Sequence, residues 1–175
     1  AEAFNLTAAF MRAKAQATAS LQDLMPDDKK LKQLQSRIHN LQQMIDEGDT
    51  SDKTRDRLTA ALALREQMLG AITNAQQQLN DAEIEANKLR QTDAKLGNDF
   101  YDMRVKQILE VAKLEKEKQA AKKQADKDRI QAQIDMLKAA QDAELEAFKA
   151  HIKDTQEELA NAIQQTIKDI ADRVN

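Results

Sequence analysis

From Ile134 to Val174 apolar residues recur in steps of three, four and four: Ile134, Leu137, Leu145, Phe148, Ile152, Leu159, Ile163, Ile167, Ile170 and Val174, with Gln141 and Gln156 completing the pattern. The repeat is eleven residues long. Eleven residues in three turns is about 3.67 per turn, close to the natural α-helical period, so the stripe stays on one side of a nearly straight helix without left-handed supercoiling. Such a rod needs partners along its whole length. A stripe of aliphatic residues tells where a helix packs and says nothing about chemistry.

Composition points the same way. Hydrophobic residues make up 41% of the chain but aromatic residues only 3%, and much of the apolar count is alanine, which removes little surface from water. A large rounded core is therefore not expected, and burial comes from thin layers along paired helices. Charged residues reach 33%, while three glycines and one proline are the only strong breakers. That balance suits long helices and opposes sheet-containing folds. We expect an all-α chain of 175 residues forming one elongated domain, a three- or four-helix antiparallel bundle or coiled coil.

Helices are expected near 4–24, 27–47, 53–96, 99–125 and 128–174, the last two possible as one continuous rod of about 110 Å. The first carries a small-residue seam of Leu6, Phe10, Ala13, Ala17, Ser20 and Leu24. Pro26 interrupts, and Asp27 and Asp28 after it favour the positive end of a new helix. Leu31, Leu34, Ile38, Leu41 and Ile45 form a strict heptad alternation that stops before Gly48, the clearest loop. The next seam runs through Leu58, Ala61, Arg65, Met68, Ile72, Ala75, Leu79, Ala82, Ala86, Leu89, Asp93 and Leu96, and its alanines predict close helix pairing. Gly97 and Asn98 predict a stop and a turn. A mixed-sign stretch from Lys113 to Arg129 reads as a solvated face or an exposed hairpin tip. A reversal near 126 would bring Phe4, Phe10, Phe100, Tyr101 and Phe148 to one level.

No residues suggest catalysis. The residues three before His39 and His151 are Ser36 and Phe148, so neither histidine belongs to a Glu-x-x-His metal motif. Both sit beside apolar stripe positions and are expected at the surface. There is no cysteine, no Gly-rich phosphate loop and no local base beside Ser20, Ser36 or Ser51. The six methionines are scattered and read as core gap-fillers. We expect no enzyme, no cofactor and no metal. A net charge of −3 without a basic block gives no footprint for nucleic acid.

What remains is a surface that binds. Heptads at 31–45 and 58–96 favour left-handed winding, whereas the 11-residue repeat favours a straight rod, so either a nearly straight bundle with locally unwound heptads or a C-terminal end that runs past its neighbours is expected. Leu159, Ile163, Ile167, Ile170 and Val174 are the candidate partner-binding residues. The expected partners are other proteins, through helix-to-helix contacts and self-association. The alternative is an apolipoprotein-like amphipathic binder of lipid or membrane surfaces, in contact with a membrane but not integral. The chain starts Ala1-Glu2-Ala3, as a mature protein does after signal-peptide removal, so an exported location (periplasm, cell surface or medium) is expected, with the cytoplasm as the alternative.

The run Leu34-Gln35-Ser36-Arg37-Ile38 through Met44-Ile45, followed by alanine-rich coiled coil, resembles the soluble coiled-coil region of type III secretion translocators over about a third of the chain. By architecture the chain is also similar to minor pilins of conjugative secretion systems. Both resemblances imply a non-enzymatic structural or adhesive module, a component of a bacterial secretion system or surface appendage. Neither carries a diagnostic motif, and no site residue is transferred from either.

Overall fold

The computed structural model describes residues 2–174, and among them every regular element is an α-helix: α1 (Glu2–Asp23), α2 (Asp28–Asp46), α3 (Asp52–Arg90), α4 (Ala94–Ala120) and α5 (Gln124–Val174). Packing divides the chain into two compact units, Ala1–Asp135 and Met136–Asn175. The first holds α1 to α4 and the start of α5. The second is the remainder of α5.

Local chemistry explains most boundaries. Asp27 caps α2, its carboxylate accepting the Lys29 amide at 3.0 Å, and Pro26 lies just outside the helix rather than in its first turn. Gly48 follows α2 with φ at +108°, a conformation that a side chain would strain. Ser51 then caps α3 by accepting the Thr54 amide. Asp49 braces this loop, one carboxylate oxygen accepting the Ser51 amide at 2.9 Å and the other the Thr54 hydroxyl at 2.8 Å. The Ser51 amide first, and then the Ser51 and Thr54 hydroxyls, hold the Asp49 carboxyl below its usual range.

The turn expected at Gly97 lies elsewhere. α3 ends at Arg90, and Asp93 caps α4 by accepting the Leu96 amide at 3.0 Å. Periodicity had assigned Asp93 to a continuing seam, but its carboxylate serves the next helix start. Gly97 is helical, without a positive φ, and it lets α4 approach α3. An added methyl carbon there would stand 2.7 Å from the Ala86 carbonyl oxygen and 2.8 Å from the Arg90 nitrogen, and would overlap the Arg90 side chain.

A second break falls at 121–123, between α4 and α5, with Ala121 extended at φ −68° and ψ 134°. Lys118 and Gln131 would stand about 20 Å apart along a continuous helix. Instead Lys118 Nζ donates to Gln131 Oε1 at 2.6 Å, so the chain reverses between them. Neither Gly nor Pro marks the turn. The charges do: Lys118 lies in the last turn of α4 and Asp126 in the first turn of α5, each at the helix end whose dipole it complements.

Within the first unit, cross-links give the direction of each helix. Gln119 donates to the Gln67 carbonyl oxygen at 2.9 Å, and Gly97 meets Ala86 and Arg90, so α4 returns along α3. Asn98 donates to the Leu6 carbonyl oxygen at 2.9 Å and Lys116 to the Asp23 carbonyl oxygen at 3.1 Å, so α1 runs alongside α4 in the same sense. Lys14 and Glu83 pair at 2.7 Å between α1 and α3. Three helices therefore meet where Ala17, Ala75, Ala82, Ala86, Phe100 and Ile108 are buried. Alanine at four of these six positions keeps the backbones close. Toward the other end of α3, Leu34, Ile38 and Leu41 of α2 pack with Ala61, against Leu58, Leu62, Leu64 and Met68. Full burial of each large aliphatic side chain contributes about 1.5–3 kcal/mol.

Two expectations about the large side chains need correction. Phe10 and Tyr101 do meet, with ring centroids 4.9 Å apart, and the Arg90 guanidinium lies 4.3 Å over Phe10. Phe4, however, is 76% exposed and stands outside this cluster. Most of the methionines are not core fillers either, Met68 beside the α2–α3 cluster being the exception. Met11, Met25, Met44 and Met136 are exposed, and Met68 and Met103 are half-buried. In layers lined by alanine, little space is left for an unbranched side chain of that length.

Candidate helix-docking surface

The C-terminal half of α5 holds the residues singled out by the 11-residue repeat. No Gly or Pro occurs after Gly97, and α5 runs 51 residues without a break. Gln165 supports it by donating to Asp169 at 2.9 Å, and the Thr155 and Thr166 hydroxyls are satisfied locally by the carbonyl oxygens four residues earlier.

Burial along α5 follows the repeat. Ile130 and Ile134 are buried, and Leu137, Gln141, Leu145, Phe148 and Ile152 are each half-buried at the expected spacing. Thr155 is the last partly covered residue, and every described residue from Gln156 onward is exposed. Leu159, Ile163, Ile167, Ile170 and Val174 are therefore open to solvent, from 49% exposed at Leu159 to 80% at Val174. They share one face. At about 100° per residue, Ala160, Thr166 and Ala171 flank them, while Glu158, Asn161, Gln165, Lys168 and Asp172 fall on the opposite side. The apolar band is thus bordered by Ala160, Thr166 and Ala171, with Arg173 the one charged residue as near to it.

His39 and His151 are both exposed, and the His151 ring meets Phe148 on its own helix, edge-on at 6.0 Å. Among the described residues no group of three or more His, Cys, Asp or Glu side chains is placed to hold a metal ion. No helix among them is long and apolar enough to cross a membrane. Titration is perturbed in the first unit instead. Burial first, then the charges of Glu83 and Asp102, pushes the Tyr101 phenol up, and burial followed by Asp99 raises the Asp102 carboxyl.

Sequence reasoning missed one feature of the first unit, a cavity beside the break between α1 and α2. It is lined by residues from three helices and from the stretch that joins α1 to α2, including Met25, Leu34, Met68 and Ala112. Pro26 was the available signal, since a broken helix leaves the neighbour it faced partly uncovered. No family model, curated protein sequence or solved structure matches this chain.

Proposed function

We propose that the chain is a non-enzymatic structural or adhesive module that binds other proteins helix to helix, with the C-terminal stripe as its working face. The observation that carries this reading is the run of exposed Leu159, Ile163, Ile167, Ile170 and Val174 on one face of α5. A helix in water gains nothing from five large apolar residues in register, and a partner helix laid against them removes that surface from water. An antiparallel bundle or coiled-coil arrangement of α1 to α4 belongs to the same proposal. So does the setting, an exported component of a bacterial secretion system or surface appendage, which the sequence resemblances support.

Lipid is the competing occupant, and charge weighs against anionic membranes. From 152 to 174, Asp154, Glu157, Glu158, Asp169 and Asp172 oppose only Lys153, Lys168 and Arg173. Helices that lie on anionic lipid are instead rich in basic residues. The test is cross-linking and pull-down with the full chain beside an Ile163→Asp, Ile167→Asp variant. Wild type should capture itself or a partner protein, and the variant should lose that capture while keeping its helical spectrum. Equal capture by both would remove the stripe as the working face, and flotation of wild type with neutral vesicles would shift the assignment to lipid.

A further inference from the structure

The second feature without a role is the cavity beside the break between α1 and α2, about 360 Å³ and open at one side. Its origin is local. α1 ends at Asp23 and α2 begins at Asp28, so the middle of α3 faces a non-helical stretch where a continuous helix would have covered it. Ala71 of α3 and Ala112 of α4 both line the space, and their small side chains leave it unfilled. Leu24, Leu34, Leu64 and Ile72 supply apolar wall, and Met25 and Met68 add side chains able to adapt to an occupant.

Collapse is opposed by cross-links that two of the lining residues make to neighbouring segments. Lys116 ties α4 to the end of α1 through the Asp23 carbonyl oxygen, and Gln119 ties it to α3 through the Gln67 carbonyl oxygen. These bonds fix the helix that forms one wall. The volume falls within the range of small-molecule sites, which are mostly apolar with a few placed polar groups.

The polar groups here are Asp27, Lys30, Lys116 and Gln119. Asp27 is committed to the start of α2, where its carboxylate accepts the Lys29 amide. The lining thus carries two lysines and one aspartate, leaving a single positive charge in excess. We propose that this cavity binds a single-chain amphiphile with a monoanionic head, a fatty carboxylate, its tail between Ala71 and Ala112 and its head at Lys30 and Lys116. The site is separate from the α5 stripe and does not depend on the function proposed for it.

Dodecanoate, titrated below its micelle concentration into the full chain and followed by calorimetry, tests this. Wild type should bind one molecule saturably, and dodecanol, which has the tail without the charge, should bind more weakly. Lys30→Glu, at an exposed position, should weaken dodecanoate roughly 3- to 10-fold and leave dodecanol unchanged. Ala71→Phe should abolish binding of both by filling the space. Absence of saturable binding to wild type overturns the proposal. So does an affinity that survives in both variants, or dodecanol binding as tightly as dodecanoate. Should Ala71→Phe fail to fold, Lys30→Glu and the dodecanol comparison still decide.

Discussion

α2 and the end of α5 carry similar stripes and have opposite fates. Leu34, Ile38 and Leu41 are buried against α3, whereas Leu159, Ile163, Ile167, Ile170 and Val174 stand in solvent. Residue type does not separate the two sets. What differs is supply: a short loop braced by Asp49 and Ser51 returns the chain so that α3 lies against the first stripe, whereas every described residue from Gln156 onward is exposed. Periodicity announces that a face is fit to pack, and connectivity decides whether the chain itself covers it.

The comparison breaks first at its centre. Ile38→Ala should cost about 2–5 kcal/mol in chemical denaturation, from lost burial and the cavity left behind. Ile167→Ala should change stability by no more than about 0.5 kcal/mol, as an exposed substitution does. Equal losses would mean that the second stripe is covered within the single chain. The two helical glycines sharpen the contrast between packed and open surface. Gly97→Ala forces atoms into Ala86 and Arg90 and should cost about 1–3 kcal/mol. Gly70→Ala, where an added carbon meets nothing within 4 Å, should stabilise by about 0.5–1 kcal/mol through better helix propensity. Thermal melts of the two should move in opposite directions.

Caps come next in size. Asp93→Ala removes the acceptor of the Leu96 amide and should cost about 1 kcal/mol, whereas continuation of α3 through Asp93 would make the same change neutral. The smallest effect is the pH dependence of the loop that joins α2 to α3. Asp49 is held below its unfolded value of 3.8, so the unfolded chain binds more protons there. Its contribution is present above that value and is lost as pH falls through the lower folded value. Asp49→Asn should flatten that part of the acid limb, and an unchanged limb would contradict the assignment.

Much of the helical content was legible because it rests on local effects. The seam through Ala61, Ala75, Leu79, Ala82 and Ala86 was read from spacing alone, and all five residues are buried. The heptad of α2 was equally plain. The α3–α4 turn was misplaced because Gly97 and Asn98 look like a stop, while the true start signal, Asp93, coincided with a seam position. The reversal after Ala120 left only a charge pattern, Lys118 before it and Asp126 after it, which a continuous solvated helix would also display. Leu159 to Val174 were visible as a stripe, and the conflict between its period and the heptads pointed to an open end.

The sequence by itself determined that the described chain is helical, where most helix faces lie, and that α5 carries its apolar residues at one regular spacing. These follow from backbone propensity and period, which act over a few residues. Only the tertiary structure decided which stripe meets a partner, why Gly97 must be glycine, and that a cavity opens beside the α1–α2 break. Each of these depends on segments far apart in the chain and on the distance between their backbones. No local pattern encodes that distance.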